Sequence, residues 1–289
     1  MAIAIVTDST AYISEEVRQE HNIYMLPLLV QIGNESYREE IDLTAEEFYS
    51  KVKQSSSFPT SSQPVIGEVY ELFDQLAREY DAIISIHLSS GISGTFQSVS
   101  ALAEDFPTCS IHTFDSESSC YVQARYVLEA ARLAEKGIEP DQIMERLYDL
   151  RERSKAYFLV DDLMNLQKGG RLSGGAALVG SLMKIKPILH FSDKKITVFE
   201  KIRTKKKALG RIGDLLGEDV QNVSYPLIAT VIHANAEAEG KAWMEELKST
   251  YPNVRFQLSY FGPVIGTHLG EDALGLTWTE DVERNQPVL

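Results

Sequence analysis

Cysteine is scarce in this chain: its 289 residues include 2, Cys109 and Cys120. Neither sits in a CxxC pair, and no histidine cluster stands at metal-ligand spacing, so a disulfide framework and a zinc site are both excluded. The two thiols read as reduced core or near-surface residues. Long apolar runs are missing as well. No stretch approaches the roughly 18 apolar residues of a membrane helix, so neither a span nor stable membrane insertion is expected. The opening "MAIAIVTDST" has no basic segment ahead of an apolar one, so no secretion signal is expected, and a cytoplasmic protein is. Positive charge is in short supply, with 28 Lys and Arg against 42 Asp and Glu and a net charge of −14. That balance argues against nucleic acid as a partner and against adhesion to anionic membranes. No internal repeat is visible.

The chain is 44% hydrophobic and 24% charged, an ordinary globular balance with ample material for a core, and its length suits one large or two medium domains. The stretch "IHLSSGISGTFQSV", Ile86 to Val99, organises the first half. It reads as a buried strand, a Ser/Gly turn and the start of an amphipathic helix. Ser93, Gly94 and Thr95 therefore fall at or beside a helix N-terminus, where unpaired N–H groups favour an anion. A serine cap with flexible glycines is the plainer reading.

Short apolar strands alternate with helices over this half. "AIAIVTDST" is a strand running into a polar turn, with Asp8 and Ser9 as site or capping residues. "IYMLPLLVQI" reads as one strand, with Pro27 marking an edge or bulge. Thr44 and Glu47 form a capping box. "SSSFPTSSQPVIG", Ser55 to Gly67, reads as an extended loop before a helix whose apolar face carries Val65, Val69, Leu72, Phe73 and Leu76. The alternation predicts a parallel sheet covered on both faces, a Rossmann-like α/β domain over residues 1–155. Residues 156–289 change rhythm. They predict a smaller α+β domain with antiparallel pairing, including a helix over Ser173–Met183, a hairpin turning at Asp193–Lys194, a basic-faced helix in "TKKKALGRIGDLL", and strands flanking a Gly/His turn near the end.

Three constellations could carry chemistry. Ser61, Ser62, Ser93 and His268, the last preceded by Thr267, lie in loops rich in Gly, Ser or Thr, and a histidine in a glycine turn should open on a cleft. His87, His112, His190 and His233 lie in or beside apolar strands and read as structural. A serine and a histidine suggest nucleophilic catalysis, although "GISGT" is not the G-x-S-x-G elbow. The second group is basic: Lys168, Arg171, Arg203, Lys205, Lys206 and Lys207, either a solvated face or a dock for an acidic or phosphorylated partner. The third is apolar, Ala176–Met183 with "KPILHF" and "ITVF", either an ordinary core or something more.

In order along nearly the whole chain, "TDST", "TSSQP", "SSGISGTFQSV", "DS", "LMNLQKGGRLS", "KPIL", "EKIRTKKKAL" and "GPVIGTHLGEDALG" resemble the DegV family of bacterial fatty-acid-binding proteins. The resemblance implies a Rossmann-like domain and a smaller α+β domain enclosing a lipid tunnel. A long-chain fatty acid would lie there, its carboxylate reaching a hydroxyl/His site at the interdomain cleft. The protein would present that acid to a separate ATP-dependent fatty acid kinase, with no catalysis, cofactor or metal of its own. By resemblance the carboxylate contacts fall on Ser61, with Thr60 or Ser62 able to share, on Ser93, and on His268 beside Thr267. Ser61 stands where the family usually has threonine. Arg171, Arg203 and Lys205 match the kinase-docking face. Tyr12 departs from the family pattern, which leaves Asp8 and Ser9 intact. His268 could meet the carboxylate as imidazolium or as a neutral donor. An acyl hydrolase or transferase with Ser93 as nucleophile, and a small-anion binder without a tunnel, are the other readings.

Overall fold

The computed structural model describes residues 1–174 and 185–285. The helix expected over Ser173–Met183, apart from its first two residues, and the apolar stretch Ala176–Met183 lie outside the described residues. The chain divides into two compact units, Met1–Glu152 and Arg153–Leu289.

In the first unit, strands β1 (Ile3–Asp8), β2 (Ile23–Leu26), β6 (Ala82–His87) and β7 (Ser110–Asp115) form a parallel sheet in the order β2-β1-β6-β7. The two central strands, β1 and β6, are short and largely apolar runs, as strands buried on both faces must be. Helix α3 (Ile66–Glu79) packs Val69, Phe73 and Leu76 with Val99 of α4 (Thr95–Ala103) against Ala4, Val6 and Ile83. Successive strand side chains alternate, so Thr7 points the other way, where Gln123 of α5 (Cys120–Glu135) bonds it. Helices α1 (Glu15–Glu20), α2 (Ala45–Gln54) and α6 (Pro140–Glu152) complete the unit. The capping box is present, with Thr44 accepting from the Glu47 N–H and Glu47 accepting from the Thr44 N–H.

Three expectations for this unit need correction. Pro27 divides "IYMLPLLVQI" into β2, an edge of the parallel sheet, and β3 (Leu29–Ile32) of a separate antiparallel sheet. Proline has no N–H with which to continue a ladder, so the chain changes sheets there. That second sheet, ordered β4-β3-β5, also takes β4 (Glu35–Arg38) and β5 (Thr60–Ser62), so part of the expected loop is a strand. Val65 is not on the buried face of α3; it stands at the N-cap, 44% exposed.

In the second unit, a six-stranded sheet runs β10-β9-β8-β13-β11-β12. The strands are β8 (Lys155–Leu159), β9 (Ile188–Ser192), β10 (Lys195–Glu200), β11 (Leu227–His233), β12 (Arg255–Tyr260) and β13 (Leu274–Glu280). Among the strands described in this sheet only β11 and β12 pair in parallel, which matches the expected α+β pattern. Helices α8 (Lys205–Asn222) and α9 (Glu237–Thr250) cover one face, burying Ile212, Leu216, Trp243 and Leu247 against Val231 and Leu276. Asp193 and Lys194, the expected hairpin turn, both take left-handed backbone, as a two-residue hairpin loop of this hand requires. A short helix, α7 (Met164–Lys168), follows β8. The expected Gly/His turn is a helix instead, α10 (Pro263–Leu269). Pro263 opens it at the first helical position, where its fixed φ fits and its missing N–H costs nothing.

The C-terminal ends of β1 and β6 are bound together by Asp8. Its Oδ2 accepts from the Leu88 N–H at 2.9 Å and meets His87 Nδ1 at 3.1 Å, while Oδ1 accepts from the Thr10 N–H and hydroxyl. His87 Nε2 meets Ser85 Oγ at 2.7 Å. Asp8, Ser85 and His87 are all fully buried. Burial alone would raise the Asp8 pKa, but the His87, Thr10 and Leu88 hydrogen bonds outweigh it and hold the carboxyl below its ordinary value. The stability it supplies is therefore full above the unfolded carboxylate pKa and is lost as pH falls through the folded one. Asp8→Ala leaves buried donors unpaired and should cost about 3–5 kcal/mol in urea unfolding at pH 7. A loss below about 1 kcal/mol would show the contact to be dispensable.

Candidate functional site

β1 and β6 are neighbours, yet the chain leaves β1 for β2 on its other side. Such a reversal of strand order opens a crevice at the strands' C-terminal ends. The loop Leu88–Gly94 lies there, and it is held firmly. Leu88 is tied to Asp8, the Ser89 N–H donates to Ser118 O at 2.7 Å, and the Ser90 N–H donates to Asp115 Oδ1 at 3.1 Å. Ser93 is half-buried beside the N-terminus of α4. Its Oγ accepts from the Thr95 N–H at 3.2 Å and lies 2.9 Å from the Thr95 hydroxyl.

β5 carries the other serines. Ser61 is half-buried, whereas Thr60 and Ser62 are exposed. Alternation along a strand turns Ser61 to one side and its two neighbours to the other, so Ser61 and Ser62 do not face one ligand together. Just beyond the strand, Gln63 Oε1 accepts from the Ser98 hydroxyl of α4 at 2.8 Å. It also lies 3.1 Å from where a Cβ on Gly94 would stand. The structure thus brings the "TSSQP" segment to the N-terminal turns of α4, next to Ser93. Gln63 was not singled out in the sequence; its place two residues after Ser61 and before a proline was the available signal.

In the second unit, His268 does not sit in an open glycine turn. It lies on α10 and is 9% exposed. The ring packs on the "KGGR" turn after α7, where a Cβ on Gly169 would collide with His268 Nδ1. Gly270, at φ +76, closes α10 against Asn165 of α7, and a Cβ there would collide with Asn165 Nδ2. Two motifs 97 residues apart in sequence, at Arg171 and His268, are one piece of structure. Arg171 is half-buried, donates to Gly169 O at 2.5 Å and acts electrostatically on His268. Burial, and secondarily Arg171, push the His268 pKa down to about 3, so the ring is neutral at physiological pH. Thr267 is buried, and its hydroxyl donates to Pro263 O at 2.9 Å.

Of the residues expected on a docking face, Arg203 is exposed, whereas Lys205 is bonded to Glu239 Oε2 at 2.6 Å. Asp8 and Ser9 are structural: Ser9 is buried, donates to Glu39 Oε2 at 2.5 Å and accepts from the Leu28 N–H. His87, read as structural, has both ring nitrogens engaged within the buried Asp8 network. Cys120 is buried and its thiol is pushed up to about 12, chiefly by burial, so it is unreactive at neutral pH. Among the described residues no group of three or more His, Cys, Asp or Glu could hold a metal ion, and no helix is long and apolar enough to cross a membrane.

Fold and side chains define a two-unit α/β protein whose candidate residues are hydroxyls at a strand-end loop, a neutral buried histidine and an arginine beside it. A family profile described as "Uncharacterised protein, DegV family" matches residues 2–281. Protein DegV of Bacillus subtilis is 53% identical over 96% of this chain and 99% of its own length. The crystal structure of that organism's DegV, described as a fatty acid binding protein, aligns at a TM-score of 0.92 and 52% identity over 97% of this chain and 100% of its own. A fatty acid binding DegV family protein from Streptococcus agalactiae aligns at 0.91 and 32% identity, covering 97% and 99%. The chain belongs to the DegV family, as its ordered motifs implied.

The depressed His268 pKa has a definite sign. The unfolded state takes up a proton near pH 6.5 that the folded state refuses until about pH 3. Stability is therefore full above about pH 6.5 and falls by about 1.4 kcal/mol per pH unit below it. An NMR titration should show the ring still neutral at pH 5. Gly169→Ala, which forces the ring out of its seat, should move the titration back toward 6.5, and an unchanged titration would refute the packing account.

Proposed function

We propose that this protein binds a long-chain fatty acid in an apolar tunnel of its second unit and presents the carboxylate to a separate, ATP-dependent fatty acid kinase. The kinase forms the acyl phosphate, and this protein performs no chemistry of its own. Such a kinase works where ATP is, which makes the protein cytoplasmic on this reading. The observation that carries the first part is the likeness, at 52% identity over 97% of the chain, to a relative described as a fatty acid binding protein. The side chains agree with a carboxylate ligand. We assign Ser61, Ser93 and His268 to it as hydrogen-bonding groups, with Ser62 and Thr267 as their neighbours. Arg203, Arg171 and Lys205 are assigned to the kinase dock, Arg203 being the most exposed of the three.

The energetics suit a carrier. An acyl chain gains about 0.8 kcal/mol per buried CH2, so a long chain sums to roughly 10 kcal/mol before the costs of association. Affinity then resides in the tail and recognition in the head. Ser93 as a hydrolase nucleophile is the weaker reading. Its Oγ is bonded to Thr95, and no histidine bonds it among the described residues.

Native mass spectrometry of the purified protein should show a bound fatty acid. A protein that is empty and also ignores added oleate or palmitate would end the proposal. Ser93→Ala or His268→Ala should weaken oleate about tenfold, the size of one hydrogen bond. Oleyl alcohol, which lacks the carboxylate, should bind nearly as before. Arg203→Ala should keep oleate binding and lose phosphorylation by the kinase; lost binding instead would refute the docking assignment.

A further inference from the structure

We infer that Gln63 is a positioning residue for carboxylate recognition: by clamping the end of β5 onto α4, it turns the Ser61 hydroxyl toward the same helix N-terminus that carries Ser93. The inference rests on the carboxylate reading above and adds a residue to it.

The geometry has three parts. First, the Gln63 side chain is anchored at its far end. Its Oε1 accepts from the Ser98 hydroxyl at 2.8 Å, one turn into α4. Second, the amide lies close over the helix start, 3.1 Å from the place of a Gly94 Cβ. Gly94 has an ordinary negative φ of −81°, so its backbone does not need glycine. The Gln63 amide instead fills the space that a side chain there would share. Third, Gln63 precedes Pro64, which biases it to extended backbone and continues the line of β5. In an extended chain residues two apart share a face. Fixing Gln63 on α4 therefore fixes which way Ser61 points. β3 sets the other edge of this segment, pairing Val30 with Ser61 and Leu29 with Ser62. Ser61 is thus held by a strand on one side and by the Gln63 clamp just beyond it.

Glutamine suits the task. It must reach past one helical turn, offer an acceptor to a hydroxyl, and bring no negative charge toward an arriving carboxylate. Glutamate would satisfy the first two demands and fail the third. Because Gln63 is exposed, replacing it creates no cavity and should leave the fold unchanged.

The test is isothermal titration of the delipidated full chain with oleate and with oleyl alcohol. Gln63→Ala should weaken oleate about tenfold, leave oleyl alcohol within about twofold, and leave the melting temperature unchanged. Ser98→Ala should do the same, and Ser98→Thr, which keeps the hydroxyl, should bind oleate like the parent. On a Ser61→Ala background Gln63→Ala should cost nothing further, since a positioning residue has nothing left to position. If Ser61→Ala selectively weakens oleate and Gln63→Ala does not, or if Gln63→Ala weakens both ligands alike or adds fully to Ser61→Ala, the positioning role is wrong. If neither Ser61→Ala nor Ser93→Ala discriminates between the two ligands, the carboxylate reading itself fails, and this inference fails with it.

Discussion

Asp8 stands at the end of β1 and takes four donors from the chain around it: the N–H of Leu88, the ring of His87, and the N–H and hydroxyl of Thr10. An ionised carboxylate without water is costly to keep, and these donors are what make it tolerable. They also give it a structural task, since the three residues that supply them lead into β6, its following loop and the turn after β1. Leu88 is the first residue of the loop that leads to Ser93. His87 closes β6, and Thr10 lies in the turn that leaves β1. The loop's path is thus set where it starts, and Ser118 O and Asp115 set it again at Ser89 and Ser90. By the time the chain reaches Ser93 it has little freedom left, which is how a hydroxyl on a loop comes to be aimed.

Elsewhere the aiming is done by missing side chains. Gly94 and Gly169 both have ordinary negative φ, so neither is there for a special backbone. Each leaves room for a neighbour: the Gln63 amide in one case, the His268 ring in the other. Gly270 serves both purposes, with positive φ and with Asn165 against it. Gly94, Gly169 and Gly270, which look like flexible turns in the sequence, are contact surfaces.

Local rules carried much of this structure. The Thr44–Glu47 box, the turn at Asp193–Lys194 and the strand–helix alternation all follow from residues within a few positions of one another. What could not be read was decided at long range. Nothing in "IYMLPLLVQI" states that β3 will pair with Ser61 and Ser62, so the small antiparallel sheet went unseen. Two glycines masked α10, although Pro263 after Gly262 was a helix start in plain view. His268 read as exposed because its loop looked like a turn; once the segment is helical and packed on Gly169, the same residue is buried. Its partner Arg171 belongs to a docking face by resemblance alone, and only the fold brings it to the histidine.

That last contact changes how the head of a bound acid would be held on the proposed reading. The hydroxyl loops "SSGISGT" and "TSSQP" carry no lysine or arginine of their own. Arg171 supplies a positive charge near His268 after all, half-buried and shared with Gly169 O. The same charge helps keep His268 neutral. A neutral imidazole can give a carboxylate one hydrogen bond but no net charge, so on that reading attraction would come from Arg171 at a distance and direction from the ring. Splitting charge from direction in this way leaves no single bidentate pair to break.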